Sequence, residues 1–157
     1  MDTLIDNTQS AFVSGRVITD NIILSHKLVK GYGRKGVSPR CMMKLDMQKA
    51  YDSIEWPFME QVLNSLAFPD QFVIWIMACM ETVTYTVMIN GALIKPFEAK
   101  KGLRHGDPMS PFLFVLAMEY LTRSLKILNQ NPDFNYHPKC AKMQILQLGF
   151  ADDFLLF

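Results

Sequence analysis

Two adjacent carboxylates, Asp152 and Asp153, stand between the strand-like runs Gln144-Ile145-Leu146-Gln147-Leu148-Gly149-Phe150 and Phe154-Leu155-Leu156-Phe157. Neighbouring ionised groups repel, so holding them together in a tight turn takes either nearby bases or a bound cation. The flanking runs predict a hairpin with the acids at its tip, presenting two hard oxygen donors at a sheet edge within reach of Mg²⁺. The pair alone also fits a solvated Asp-Asp turn.

A third acid changes the balance. In Cys41-Met42-Met43-Lys44-Leu45-Asp46-Met47 a short apolar segment, interrupted only by Lys44, reads as a buried strand ending in Asp46. If that strand pairs with the hairpin, Asp46 and Asp152 converge and the three acids make a site for one or two divalent metals. Such a site suits phosphoryl transfer, because two metals can clamp the attacking and leaving oxygens. The local alternative for Asp46 is an ion pair with Lys44 or Lys49.

A chain of 157 residues, half of them apolar, suits one domain with a real core. Net charge is +1, but its distribution is uneven. Lys27, Lys30, Arg34, Lys35, Arg40, Lys44 and Lys49 are accompanied only by Asp46, whereas Asp52, Glu55, Glu60, Asp70 and Glu81 fall in a stretch without a base. A basic first third beside a carboxylate site suits a polyanion, and it also fits an ordinary solvated face. Cys41, Cys79 and Cys140 lack paired spacing, which argues for a reducing compartment. His137 and Cys140 fall short of the four ligands of a structural zinc. The N-terminus, with Asp2 and Asp6, has no secretory-leader pattern, and the most apolar stretch, residues 111–128, carries Glu119, Arg123 and Lys126, as a core helix does and a membrane span does not.

Along the chain, Thr19-Asp20-Asn21 predicts a helix cap, with Ile22, Ile23, Leu28 and Val29 on the apolar face of a helix reaching about Lys30. Residues 31–36 read as a basic loop. Trp56-Pro57 and Pro69-Asp70 open two further helices, the second ending near Glu81. Residues 82–89 alternate as a strand into Asn90-Gly91, a strong hairpin signal. Ser110-Pro111 opens a long helix to about Leu128. Helices mixed with antiparallel hairpins give an α+β fold.

Several segments, in order, resemble the reverse transcriptases of non-long-terminal-repeat (LINE-type) retrotransposons, and the plant members in particular. They are Gln9-Ser10-Ala11-Phe12-Val13-Ser14-Gly15-Arg16 with Asp20-Asn21, then Lys44-Leu45-Asp46-Met47-Gln48-Lys49-Ala50-Tyr51-Asp52, Asn90-Gly91, residues 102–111 from Gly102 to Pro111, and Phe150-Ala151-Asp152-Asp153. The resemblance implies a right-hand polymerase fold: an antiparallel sheet packed with helices, residues 1–40 fingers-like, residues 41–157 mainly palm, and no thumb. It implies RNA-directed DNA polymerase chemistry on an RNA template and DNA primer with deoxynucleoside triphosphates, Mg²⁺ or Mn²⁺ as the metal, and an intracellular, nuclear setting without a membrane.

Position by position, the resemblance makes Asp46, Asp152 and Asp153 the catalytic, metal-binding acids. Tyr51 matches the aromatic residue under the sugar of the incoming nucleotide, excluding a 2′-hydroxyl by shape. Arg104, His105 and Gly106 fall in the segment lining the nucleotide, with His105 standing where the family usually has glutamine. Arg34, Lys35, Arg40 and Lys49 are the expected nucleic-acid contacts. The rivals are a non-catalytic remnant that binds nucleic acid and a palm-fold nucleotidyl cyclase; the template-side segment from Arg104 to Pro111 argues against the cyclase.

Overall fold

Proline sets where two of the helices begin. Pro57 sits in the first turn of α2 (Trp56–Ser65) and Pro69 immediately precedes α3 (Asp70–Glu81), positions where a missing N–H costs nothing. Met59, Val62 and Leu63 of α2 and Val73, Ile76, Met77 and Met80 of α3 are buried, as their helical spacing requires. The structure, a computed structural model, describes residues 4–30, 32 and 41–157. Most of the predicted basic loop, with Arg34 and Lys35, and Arg40 beyond it lie outside the described residues.

The chain divides into two compact units. One is Lys49–Ala117. It holds α2, α3, two short antiparallel pairs and the start of α4 (Ser110–Lys126). The pairs are β2 (Thr84–Tyr85) with β5 (Phe97–Glu98), and β3 (Met88–Ile89) with β4 (Ala92–Leu93). The single strand expected over residues 82–89 is therefore broken into two pieces, because its two halves take different partners. Asn90 and Gly91 both have positive φ, the backbone a two-residue hairpin turn of matching twist demands.

The other unit joins the residues up to Gln48 with Met118–Phe157. Its sheet has the order β1-β7-β6, from β1 (Met43–Asp46), β6 (Gln147–Phe150) and β7 (Asp153–Leu156), all antiparallel. Leu148 packs with Leu28, Cys140 and Ile145 in a buried cluster bordered by Leu24, Phe150, Leu155 and Phe157. Burial of an aliphatic side chain of this size contributes about 1.5–3 kcal/mol. The segment ending in Asp46 is a strand, as expected, but it is not buried: Met43 and Asp46 are exposed and Leu45 is half-buried. Among the described residues β1 pairs with β7 alone, which makes it the edge strand of this sheet.

α1 (Ile18–Val29) starts before the expected cap, behind Val17, which makes no side-chain capping bond. Its buried positions are Asn21, Ser25 and Leu28, whereas Ile22 and Ile23 are 41% and 47% exposed and Val29 is also exposed. The polar face turns inward because Asn21 has partners there. Its amide donates to the carbonyls of Thr8 (2.8 Å) and Gly149 (3.1 Å) and to Ser10 Oγ (3.0 Å). At the other end of α1, Lys139 Nζ donates to the carbonyls of Lys27 (2.7 Å) and Lys30 (2.6 Å), filling acceptors that a helix C-terminus leaves open.

Residues 113–119 of α4 are buried without interruption. Among the described residues no helix is long and apolar enough to cross a membrane.

Candidate active site

The acids come together through strand register. β1 and β7 run antiparallel with Asp46 directly opposite Asp153, and Asp152 occupies the turn just before β7, its carbonyl accepting the Met47 N–H at 3.3 Å. The hairpin turn consumes Ala151 and Asp152, so the residue facing Asp46 is Asp153 and the tip carries one acid of the pair. Side chains two apart on a strand share a face, which puts Lys44 beside Asp46 and diagonal to Asp153.

Two carboxylates directly opposed in a sheet repel, and a cation must offset that. Here Lys44 Nζ lies 2.9 Å from Asp153 Oδ1. The oxygen itself is buried and accepts no hydrogen bond of good geometry, although the Asp153 side chain as a whole is 39% exposed. Contact with the Asp153 carboxylate, followed by its charge, holds the Lys44 ammonium above its ordinary pKa, with smaller contributions from Asp46 and Asp152.

Hard carboxylate oxygens and a buried oxygen with only an ammonium for company are donors that suit Mg²⁺. Among the described residues, however, no three acidic, histidine or cysteine side chains are already gathered as a metal-holding group. The backbone brings the acids together; the side chains are not preset around an ion. His137 and Cys140 are both buried, their Nδ1 and Sγ 3.9 Å apart, and serve the core. Burial, slightly opposed by Lys139, pushes the Cys140 thiol pKa up.

The hairpin that carries the acids is braced by the N-terminal segment. Gly149 N–H donates to the Thr8 carbonyl (2.9 Å), Ser10 Oγ and the Asn21 amide both donate to the Gly149 carbonyl, and Gln9 forms a parallel bridge with Gly149. A Cβ at Gly149 would lie 1.8 Å from Gln9 Oε1, so a larger residue there would force the buried Gln9 side chain to move. Arg16 fastens the same segment, donating to the carbonyls of Ile5 (2.9 Å), Gln9 (2.8 Å) and Asp6. Sequence reasoning noted the Gln9–Arg16 motif and Asn21 without assigning them this task. The available signal was the density of amides and hydroxyls in a segment with no catalytic spacing.

In the other unit, Tyr51 is sandwiched between His105 (ring centroids 5.2 Å apart) and Phe114 (4.8 Å). His105 Nε2 lies 3.4 Å from Asp52 Oδ1. The Tyr51 carbonyl accepts the Leu103 N–H at 2.9 Å, the Ile54 carbonyl accepts the Gly102 N–H at 2.7 Å, and Trp56 Nε1 donates to the Gly102 carbonyl at 3.0 Å. This clamp brings the segments around Tyr51 and His105 into one local cluster. Gly102 (φ +88°) makes it possible, since a Cβ there would stand 3.1 Å from Asp52 Cα. Arg104 is exposed. Gly106 has φ +82° with open space around it, so conformation, not crowding, accounts for that glycine. Lys49 is exposed with φ +54°, and its carbonyl accepts from both the N–H and Oγ of Ser53.

Known proteins share both sequence and fold with this chain. It is 29% identical over 153 residues to the transposon TX1 uncharacterized 149 kDa protein of Xenopus laevis, covering 94% of this chain and 11% of that protein. It is 29% identical to a retrovirus-related Pol polyprotein from a type-1 R2 retrotransposable element of Nasonia vitripennis (98% and 14%) and 27% identical to its type-2 R2DM counterpart in Drosophila melanogaster (97% and 14%). The chain thus spans a small part of the length of these relatives. Apo telomerase from Candida tropicalis superposes with a TM-score of 0.58 at 17% identity, covering 88% of this chain and 27% of that one, which supports the α+β palm-like architecture. Residues 1–157 match throughout the family described as reverse transcriptase (RNA-dependent DNA polymerase), and the chain belongs to that family.

Proposed function

We propose that this chain is the catalytic core segment of an RNA-directed DNA polymerase from a LINE-type element, with a plant source suggested by its motif wording. The observation that carries the reading is the antiparallel pairing of Asp46 with Asp153 beside Asp152 in the turn, within a member of the reverse transcriptase family. Asp46, Asp152 and Asp153 would hold Mg²⁺ or Mn²⁺, which when bound supplies charge stabilisation at the phosphate under attack. The acids' part is to concentrate negative charge on one sheet edge and fix its position through strand register. Tyr51, held by His105 and Phe114 with its backbone clamped, is the group that excludes a 2′-hydroxyl by shape. Arg104 and Gly106 line the nucleotide, and Arg34, Lys35, Arg40 and Lys49 meet the backbone of an RNA–DNA hybrid. Residues 1–40 correspond to fingers and 41–157 mainly to palm, and the setting is nuclear.

The test is primer extension on an RNA template, using the 157-residue chain and a chimera in which it replaces its counterpart in an R2 polyprotein. The chimera should extend with deoxynucleotides and lose extension on Asp152→Asn. A well-folded chimera that binds template and primer yet never extends would favour the second reading, a non-catalytic remnant that binds nucleic acid. That reading draws on the basic run from Lys27 to Lys49, which can meet a polyanion without any metal chemistry.

A further inference from the structure

Lys44 lies among the acids without being one of the oxygen donors. It is on the same face of β1 as Asp46, two residues away, and its ammonium touches the one buried oxygen of Asp153. An exposed lysine has many rotamers in water, and surface ion pairs contribute little, so this pair is easily exchanged. The oxygen it covers cannot be left bare, since a buried carboxylate oxygen without a partner is costly. In this structure the Lys44 ammonium is the group that meets that need.

Resting on the polymerase reading above, we propose that Lys44 is a positioning residue, an internal counter-ion that holds Asp153 on the acid face of the metal-free chain and that a divalent cation must displace. The side chains of Asp46, Asp152 and Asp153 are not gathered in advance because Lys44 already satisfies one of them. Binding of the divalent ion releases the ammonium to solvent, where its long stem lets it move away without disturbing β1. The protein thereby keeps two facing carboxylates tolerable in the absence of metal and gives up a little metal affinity for it.

Mn²⁺ affinity, measured by electron paramagnetic resonance on the 157-residue chain, tests this without any polymerisation. Lys44→Gln should bind Mn²⁺ about two- to fivefold more tightly, the range expected for losing a competing surface ion pair. Lys44→Arg should stay near the wild-type affinity. Lys142→Gln, which removes the same charge from a residue with no ion pair to these acids, should change little. In the unaltered chain, saturation with Mg²⁺ should shift the side-chain ¹⁵Nζ resonance of Lys44, a readout that stands even if Lys44→Gln folds poorly. Binding that depends on Asp46 but is equal in wild type and Lys44→Gln, or a Lys44 resonance unmoved by Mg²⁺, would overturn the counter-ion and leave the polymerase reading intact. Failure of wild type and Lys44→Gln alike to bind Mn²⁺, or binding indifferent to Asp46→Asn, would overturn both.

Discussion

Two hairpins among the described residues are built on the same plan and have opposite fates. β3–β4 turns through Asn90-Gly91 and β6–β7 through Ala151-Asp152, each with a two-residue connection and a positive φ at its first turn residue. Around β3–β4 the apolar side chains stay in water: Met88 and Leu93 are each 66% exposed. Around β6–β7 Leu148 and Phe154 are almost fully buried, and side chains from residues 8–21 bond its backbone. Turn chemistry is therefore enough to make a hairpin, whereas anchoring one needs neighbours from distant sequence.

Side-chain truncation should separate the two most widely. Leu148→Ala should destabilise the protein by about 2–5 kcal/mol in denaturant unfolding, while Leu93→Ala should stay within about 0.5 kcal/mol. Equal losses would mean that β3–β4 is anchored by something other than its own strands.

The bracing is the next distinction to break. Asn21→Ala leaves the buried carbonyl of Gly149 with fewer donors and should cost about 1–3 kcal/mol. Gly149→Ala drives a Cβ into the Gln9 amide and should cost a similar ~1–3 kcal/mol. Hydrogen exchange at residues 147–156 should accelerate in both variants more than exchange in α2 and α3. Uniform acceleration would show that the brace belongs to the whole fold and not to the acid hairpin.

In the free hairpin the turn itself is the main determinant. Gly91→Ala places a Cβ at φ +82° and should cost about 1 kcal/mol locally, read as faster exchange at residues 88–93 with little change in global unfolding.

The smallest effect concerns acid. Burial is the largest single influence on Asp6 and raises its carboxyl pKa, but hydrogen bonds from Lys126 and Thr8, with the Lys126 charge, together outweigh it and leave a net lowering. A carboxyl lowered in the folded state contributes stability that is present above its unfolded pKa and lost as pH falls through the folded one. Asp6→Asn should therefore flatten the acid limb of the stability curve below the ordinary carboxylate range. An unchanged limb would assign acid sensitivity elsewhere.

Legibility in the sequence followed the range of the interactions involved. Helices α2 and α3 were legible because Pro57 and Pro69 mark their starts and their buried residues recur at helical spacing. The Asn90-Gly91 hairpin was legible for the same local reason. β1 could be read as a strand, but its place at the edge of the sheet and its exposure are set by tertiary packing, which no window of sequence contains. The face of α1 differs from the expected one because Asn21 outranks Ile22 and Ile23 for the interior once Thr8, Ser10 and Gly149 offer it partners. For the acids, their convergence on one sheet was legible, while the opposition of Asp46 and Asp153 depends on how many residues the turn uses.

The Gly149 brace also has a consequence in time. The Ser10 and Asn21 bonds to its carbonyl close loops of 139 and 128 residues, whereas α2 packs on α3, its neighbour along the chain. Long-range closure loses more chain entropy before any contact repays it, and it slows the step that depends on it. On refolding from denaturant, a probe in α2–α3 should report structure before one at β6–β7. The acidic edge should therefore form after α2–α3, once residues 8–21 have met the β6–β7 hairpin.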